Sequence, residues 1–239
     1  MVKPKAKPLK LPTPTNANQA LSPEHTVYVA TTGGGKTTAI KRLDMIKKGA
    51  QVAFFDPYSN YSGKFKGQQV QAFTEFAPFY AALIAGRKKK AGFKVALNVP
   101  ATLENFELFA QLVWSVGNGS NALLHCVCEE MATIMETNQK LNGRAGELWR
   151  GGRQFGLVMH ALFQRMQEVP KTITSQSAKW WVGGLAGASD AKAIEREREI
   201  DASQLMKLKT ARDNGGKAQY IYSERVGEIT KQGEIDCRK

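Results

Sequence analysis

Short apolar runs alternate along this chain with longer stretches in which apolar residues recur at every third or fourth position. The first pattern predicts buried strands, and the second predicts helices that pack one face against them. Strands are predicted at 26–30, 51–55, 94–99, 122–128, 157–163 and 219–223, with a further strand beginning near Trp180 and Trp181. Helices are predicted at 38–47, 104–116, 131–138 and 203–212. This alternation is typical of an α/β fold with a mostly parallel central sheet flanked by helices, and the chain length fits a single domain.

The first predicted strand runs directly into a glycine-rich turn. Glycines let successive backbone N–H groups point at a phosphate with no Cβ in the way, and the helix that follows adds its positive dipole end. In such a cradle Lys36 would reach the β- and γ-phosphates, and the Thr37 hydroxyl would ligate Mg²⁺. The segment therefore predicts a binding loop for a nucleoside triphosphate, formed by Thr32, Gly33, Gly34, Gly35, Lys36, Thr37 and Thr38.

The loop departs from the pattern G-x-x-x-x-G-K-[ST] at one position, because Ala30 stands where the pattern has glycine. Alanine is the mildest replacement available. The alternative is a glycine-rich turn that binds no ligand and is followed by a solvated lysine. The strand before the turn and the helix predicted after it favour the phosphate cradle.

Positive charge is concentrated in a few segments of the 239 residues, which carry a formal net charge of +13. Residues 1–23 contain alternating lysines and prolines and no acid. We predict that residues 1–24 form a basic, extended arm that does not pack and that residues 25–239 form the domain. Further clusters are Arg87–Lys90 and the pair Arg150 and Arg153. Such a surface suits DNA phosphates or anionic lipid headgroups, although for any single cluster a solubilising surface is the better explanation.

A membrane-spanning segment and a histidine metal site find little support in the sequence. No apolar stretch is long and uninterrupted enough to span a bilayer, and no signal peptide precedes the first strand, so we expect a protein that works on the cytosolic side. His25, His125 and His160 lack the spacing of metal ligands, and His125 and His160 are predicted to be hydrogen-bonded core residues.

Two acids follow the strand predicted at 122–128, namely Glu129 and Glu130. In ATPases with this type of loop, a carboxylate at the tip of a neighbouring strand holds the water shell of the metal, and a following Glu polarises the attacking water. Glu129 fits the first role and Glu130 the second, although the first residue is usually Asp. The alternative is a pair of surface acids near the amino terminus of the next helix.

A third segment places a glutamine after a buried strand that follows the acidic pair along the chain. Gln164 ends that strand, and its neutral amide could sense whether a γ-phosphate is present. The order of short motifs around it resembles the FtsK–HerA superfamily of ring-forming DNA-pumping ATPases. The resemblance covers about residues 25–187, and its motifs are Asp56–Pro57, Gly152–Gly156, Gln164–Arg165, Val169–Lys171 and Ser175–Gln176.

This resemblance implies a RecA-like P-loop ATPase core that uses ATP and Mg²⁺. It implies metal holding by Thr37 and Glu129, water activation by Glu130 and sensing by Gln164. It also implies an arginine finger, for which Arg153 is the first candidate and Arg150 and Arg144 are alternatives. Because a finger must reach the γ-phosphate of a neighbouring subunit, a ring is expected, and by resemblance a hexamer.

In size and layout the chain is most similar to the genome-packaging ATPases of tailless icosahedral viruses with an internal membrane, the tectivirus type. The implied partner is double-stranded DNA bound without sequence preference, with capsid-vertex or membrane proteins as possible further partners. The implied location is the host cytoplasm during assembly and the packaging vertex of the virion. Candidate DNA grips are Lys64–Lys66 and Arg87–Lys90.

Three other functions stay open at this point. One is a plasmid or cellular DNA pump for conjugation or repair. Another is a nucleotide-binding structural component of a virion or secretion complex, and the last is a small-molecule or nucleotide kinase, which would not explain Gln164 followed by Val169–Lys171.

Overall fold

A computed structural model describes residues 11–89, 91–134 and 140–238 of the chain. The strands are β1 Thr26–Val29, β2 Gln51–Phe55, β3 Lys64–Phe65, β4 Gln68–Gln69, β5 Gln71–Phe73, β6 Lys94–Leu97, β7 Leu124–Cys128, β8 Leu157–Phe163, β9 Lys179–Gly183, β10 Lys217–Ser223 and β11 Lys231–Asp236. The helices are α1 Lys36–Arg42, α2 Phe76–Arg87, α3 Leu103–Ser115, α4 Met131–Ile134, α5 Gly143–Gly151, α6 Lys171–Gln176, α7 Ala188–Arg198 and α8 Ala202–Leu205, with short 3₁₀ turns at Gly152–Phe155 and Met166–Glu168.

Nine of these strands form one sheet in the order β11-β10-β9-β1-β8-β7-β2-β6-β5. The strands from β9 to β5 are parallel, whereas β10 and β11 are antiparallel additions at one edge. In β1, Thr26 lies opposite His160 of β8 on one side and Lys179 of β9 on the other. The predicted mostly parallel sheet flanked by helices is confirmed, and β1 lies near its centre.

Both faces of the sheet are covered, which explains why its central strands are apolar throughout. Every residue of β1, β2, β6 and β8 is buried, as expected for parallel strands with helices on both sides. One face packs on α2, α3, α5 and α7, where Phe106 and Phe109 meet the ring of Phe55 edge-on at 5.3 and 5.5 Å. The other face packs on α1 and the β3–β4 hairpin through Tyr61 and Phe65.

Two predicted helices are shorter than expected. The helix predicted at 38–47 ends at Arg42, because the carbonyl of Leu43 accepts a hydrogen bond from the Lys66 amine at 2.6 Å and the chain there turns to extended geometry. The helix predicted at 203–212 ends at Leu205, because the chain beyond it pairs with β10 through Lys209 and Gln219. In the helix predicted at 131–138, residues 131–134 are helical and the remainder lies outside the described residues.

The expectation that residues 1–24 do not pack is wrong for residues 11–24. The backbone N–H of Thr15 donates to the carbonyl of Gly117 at 3.1 Å, and that of Asn18 donates to Gln154 at 2.8 Å. Leu11 also contacts the larger core. An extended segment keeps its backbone N–H groups free to donate to neighbouring carbonyls, and residues 11–24, which we call the strap, are held in this way. Residues 1–10, with their lysines, lie outside the described residues.

None of the helices in the described ranges is long and apolar enough to cross a membrane.

Candidate nucleotide site

The glycine-rich loop follows β1 at the edge of the sheet where the parallel strands have their carboxyl ends. Gly33 and Gly35 have φ values of +74° and +90°, a region that residues with a side chain rarely adopt. At Gly34 a Cβ would lie only 2.6 Å from the Ala30 Cβ and 2.9 Å from the Thr31 carbonyl oxygen. The Ala30 methyl therefore occupies space that is available because residue 34 is glycine, which explains how the loop tolerates its departure from the usual pattern.

The Lys36 side chain folds back into this loop. Its amine donates to the carbonyl oxygens of Ala30 and Thr31, the latter at 3.3 Å. Burial lowers the pKa of Lys36, while the charges of Glu129 and Glu130 oppose that shift. The ammonium group is thus bound to the loop carbonyls and is near enough to the two acids at the end of β7 to be affected by their charge.

Glu129 directly follows β7 and is only 4% exposed. Its Oε1 accepts hydrogen bonds from the Thr37 hydroxyl at 3.0 Å and from the Tyr61 hydroxyl at 2.6 Å. Burial raises the pKa of Glu129, and these two hydrogen bonds and the charge of Lys36 work against that rise. The structure therefore joins the predicted metal-holding residues Thr37 and Glu129 and adds Tyr61, which the sequence had not indicated.

Glu130 and Gln164 come from adjacent strands, β7 and β8, and meet at the same edge. Glu130 has a φ of +56°, so its backbone turns sharply out of the strand. The Gln164 amide donates to Glu130 Oε1 at 3.2 Å, and the Gln164 carbonyl oxygen accepts from the Thr32 hydroxyl at 3.1 Å. One glutamine side chain therefore bridges the glycine-rich loop and the predicted water-activating acid.

The oxygen ligands at this edge suit a magnesium ion that is shared with a nucleotide better than a metal ion that is held by protein side chains alone. Thr37 and Glu129 offer hard oxygen donors, and Mg²⁺ in nucleotide sites takes most of its other ligands from phosphate and water. Among the described residues there is no group of three or more His, Cys, Asp or Glu side chains that could hold a metal ion by itself. A metal here would therefore depend on a bound nucleotide.

The predicted finger arginines lie apart from this cluster. Arg153 precedes β8 and so lies at the opposite end of that strand from Gln164. Its guanidinium donates to the carbonyls of Gln19, at 2.8 Å, and Leu21. The alternative that Arg153 pairs locally with Glu147 is wrong, since Arg144 forms that pair. Of the two alternative candidates, Arg144 is thus paired with Glu147, and Arg150 donates to the carbonyl of Leu141 at 2.8 Å.

His160 is buried and hydrogen-bonded as predicted, whereas His125 is half-buried but shares the same hydrogen-bonded cluster. His125 Nδ1 lies 2.9 Å from His160 Nε2, and His160 Nδ1 lies 3.1 Å from the Tyr28 hydroxyl. Burial lowers the pKa of His125 to about 4. Trp180 and Trp181 of β9 are likewise buried, one on each face of the sheet.

The mostly parallel sheet, with the glycine-rich loop at its carboxyl-terminal edge, confirms the predicted RecA-like P-loop fold, which solved structures of NTPases share. No model of a protein family matches the chain. The chain is a homologue of Protein P9 of Pseudoalteromonas phage PM2, with 29% identity over 188 residues, which cover 77% of this chain and 79% of P9.

Solved structures agree on the fold. The genome packaging NTPase B204 of Sulfolobus turreted icosahedral virus 2, in complex with AMP, superposes with a TM-score of 0.64 at 15% identity and covers 87% of this chain and 96% of B204. VirB4 of Thermoanaerobacter pseudethanolicus superposes with a TM-score of 0.55 at 9% identity, covering 96% of this chain and 97% of that one.

Proposed function

We propose that this protein is an ATP-driven translocase that packages double-stranded DNA into a preformed viral capsid. The observation that carries the proposal is the convergence of Lys36, Thr37, Glu129, Glu130 and Gln164 at one edge of the sheet, beside the glycine-rich loop. The fold match to B204, described as a genome packaging NTPase, supports the biological role.

ATP is the proposed substrate, and its phosphates are held by residues 32–38. Lys36 is already directed into the loop and would exchange its carbonyl partners for phosphate oxygens. Thr37 and Glu129 would hold Mg²⁺, which supplies charge neutralisation on the phosphates. B204 has been solved in complex with AMP, AMPPCP and ATPγS, so a protein of this fold binds adenine nucleotides.

Glu130 is the proposed base that orients the attacking water, and Gln164 is the proposed sensor. In the present arrangement the Gln164 amide donates to Glu130. A γ-phosphate that attracted the same amide would release Glu130 to accept a hydrogen bond from water. Phosphate binding and activation of the base would then be coupled through one side chain.

Double-stranded DNA is the proposed polymer, and two loops at the amino-terminal edge of the sheet are the proposed grip. They carry the exposed side chains of Lys47, Lys48, Lys88 and Lys89, which we call the lysine corner. The Gln51 amide donates to the Lys89 carbonyl at 3.1 Å, and so ties the start of β2 to the second loop. The Gln68 amide of the β3–β4 hairpin donates to the Gly92 carbonyl at 2.7 Å, which brings Lys64 of the predicted grip alongside. Lys66 and Arg87 of the predicted grips are buried and donate to the carbonyls of Leu43 and Ala122, so they are not part of the proposed surface.

The lysine corner has the chemistry of a phosphate-binding surface. None of the exposed large apolar side chains of the described residues lies in its two loops, at 43–50 and 88–93, whereas insertion into a membrane would call for such side chains. Asp44 is the exposed acid nearby, and it is paired with Lys66. Binding through lysines alone is independent of base sequence and weakens steeply with salt.

A closed ring, with six subunits by resemblance, is the proposed assembly, in which Arg153 of one subunit acts on the nucleotide of its neighbour. The ring would form in the host cytoplasm and stay at the packaging vertex of the virion, where capsid or membrane proteins are its proposed partners. A conjugative DNA pump is the second candidate, because the conjugation coupling protein TcpA shares the fold with a TM-score of 0.50. B204 superposes with the higher TM-score, 0.64, and that difference favours packaging.

The first experiment measures steady-state ATP hydrolysis with and without linear double-stranded DNA at two salt concentrations. We expect DNA to raise turnover at low salt, high salt to abolish that increase, and Glu130→Gln to remove hydrolysis. Hydrolysis that persists in Glu130→Gln, or that ignores DNA at both salts, would contradict the assignment and favour a structural role.

The DNA surface is tested with a matched pair of double variants. Lys88→Gln with Lys89→Gln should weaken DNA binding and flatten its salt dependence by roughly one unit of slope per lost phosphate contact. Lys192→Gln with Lys207→Gln removes the same charge from exposed positions outside the lysine corner and should bind like the wild type. Equal losses in both pairs would show that net charge, not this surface, governs binding.

The location of the protein distinguishes a packaging function from a conjugation function. Purified mature particles should contain the protein at one vertex if it packages the genome. A conjugative pump would be absent from particles.

A further inference from the structure

We propose that Tyr61 is a positioning residue that fixes the Glu129 carboxylate for metal holding, and that the Asp56–Pro57 turn exists to place it. The inference rests on the proposed function, because it assigns Glu129 to the Mg²⁺ that accompanies ATP. Tyr61 lies 68 residues before Glu129 in sequence, and no motif named above includes it.

The backbone of Tyr61 is held by the acid at the end of β2. Asp56 is fully buried, and its two carboxylate oxygens accept the backbone N–H groups of Asn60 at 2.8 Å and Tyr61 at 2.9 Å. Asn98 in turn donates to the Asp56 carbonyl at 2.7 Å. The Asp56 side chain thus closes the turn that begins at Asp56–Pro57, and Asn98 ties this turn to the end of β6. Together these contacts fix the position of the Tyr61 Cα.

The ring of Tyr61 is held as firmly as its backbone. It stacks on Phe54 with ring centroids 4.3 Å apart and meets Phe65 edge-on at 6.0 Å. On α1, the helix that follows the glycine-rich loop, the Lys41 amine lies 5.5 Å from the ring centroid. With 1% exposure, the side chain has no room to rotate its hydroxyl toward solvent.

The Tyr61 hydroxyl is therefore fixed in place as a hydrogen-bond donor to the Glu129 carboxylate. Both donors that reach Glu129, Tyr61 and Thr37, are bonded to the same oxygen, Oε1. Within the described part of the chain, Oε2 makes no hydrogen bond and is left for the water shell of a metal. A hydrogen-bonded partner behind a metal-holding carboxylate fixes its orientation and strengthens metal binding.

This arrangement also accounts for the unusual first acid. Glu is one methylene longer than Asp and more flexible, so an unsupported glutamate would sample several orientations. A rigid tyrosine that clamps one oxygen removes that freedom. Tyr61 thus compensates for the extra flexibility of a glutamate at position 129, where an aspartate is usual.

The test measures binding of a fluorescent ATP analogue with excess Mg²⁺ and again in EDTA, so that the gain in affinity due to the metal is isolated from hydrolysis. Tyr61→Phe removes only the hydroxyl. We expect it to reduce the Mg²⁺-dependent gain about tenfold, as for the loss of a hydrogen bond to a charged carboxylate, while affinity in EDTA stays at the wild-type value. The Mg²⁺ concentration for half-maximal hydrolysis should rise by a similar factor, with kcat at saturating Mg²⁺ nearly unchanged.

Tyr28→Phe is the matched control. Tyr28 is also fully buried on the same face of the sheet, but its hydroxyl lies beside His160 and Met45, not beside Glu129. It should behave like the wild type in both titrations, and melting temperatures of both variants check that each is folded.

The possible outcomes separate the two proposals. If Glu129→Gln loses the Mg²⁺-dependent gain and Tyr61→Phe keeps it, the positioning role is overturned and the ATPase assignment stands. If Tyr61→Phe weakens binding equally with Mg²⁺ and in EDTA, Tyr61 is only a core residue and the inference fails. If the wild type binds the analogue with no dependence on Mg²⁺, the proposed ATPase site itself is wrong, and the inference falls with it.

Discussion

The accommodation of Ala30 in the glycine-rich loop predicts a specific coupling between two positions. Gly34→Ala would place a methyl 2.6 Å from the Ala30 Cβ, about 1 Å closer than an ordinary carbon–carbon contact. It would also lie 2.9 Å from the Thr31 carbonyl oxygen. Because Ala30 is fully buried, neither group can move into solvent, and the loop itself must shift.

The magnitudes follow from the geometry. Overpacking of this kind costs about 1–3 kcal/mol of unfolding free energy. Ala30→Gly alone loses one buried methyl, about 0.8 kcal/mol, and adds glycine flexibility of roughly 0.5–1 kcal/mol. In the double variant the 2.6 Å contact disappears while the contact with Thr31 remains. The double variant should therefore be more stable than the sum of the single losses by about 1 kcal/mol.

The assay is urea unfolding of the wild type, the two single variants and the double variant, with nucleotide affinity measured beside it. Gly34→Ala should weaken nucleotide binding, and addition of Ala30→Gly should restore part of it. Gly33→Ala is the control, since its φ of +74° imposes backbone strain but its Cβ would meet nothing within 4 Å. Combined with Ala30→Gly, it should show simple additivity. Additive losses at positions 30 and 34 would refute the steric explanation.

Three further predictions concern the sensor, the histidines and a buried acid. Gln164→Ala should leave ATP binding intact but remove DNA stimulation of hydrolysis, because the bridge from the loop to the base is lost; equal basal and stimulated losses would contradict a sensor role. Burial lowers the pKa of His25 and His125 to about 4. Between pH 6.5 and 4 the unfolded chain therefore binds more protons than the folded chain, and the free energy of unfolding falls as the pH falls, by up to about 1.4 kcal/mol per pH unit for each histidine. The midpoints of urea unfolding at pH 7 and pH 5 check this. Asp190→Ala should lower the free energy of unfolding in urea by about 1–3 kcal/mol. The reason is that the buried Asp190 carboxylate accepts hydrogen bonds from the Arg165 side chain at 2.8 Å and from the Met166 backbone N–H at 2.9 Å.

The sequence predicted the parallel core well for a physical reason. Strands β2 at Gln51–Phe55 and β8 at Leu157–Phe163 match their predicted bounds, since a strand buried on both faces is an uninterrupted apolar run with clear ends. Strand β11 at Lys231–Asp236 was not predicted, because an edge strand is largely solvated and carries no apolar run. Helices α1 and α8 end early where tertiary hydrogen bonds take over their carbonyls or redirect the chain, which no local pattern reveals.

The candidate site was predictable to the extent that its chemistry is local. The loop residues and the acids Glu129 and Glu130 follow strands directly, so their placement depends only on the parallel order of the sheet. Tyr61 could not be found in this way, because its contact depends on how a turn after β2 folds against the end of β7. The only sequence signal was the Asp56–Pro57 turn, whose purpose becomes clear from the hydrogen bonds of Asp56.

The positions of Gln164 and Arg153 constrain how a ring could work. They lie at opposite ends of β8, whose seven residues span roughly 20 Å, so Arg153 does not reach the nucleotide edge of its own subunit. If Arg153 acts as a finger, the amino-terminal edge of one subunit must face the carboxyl-terminal edge of the next. That is a head-to-tail contact between different surfaces, the type that closes into rings. The carbonyls of Gln19 and Leu21 would have to release the guanidinium for this contact. A finger role for Arg153 therefore requires that the strap, residues 11–24, change its contacts with Arg153 if a ring forms.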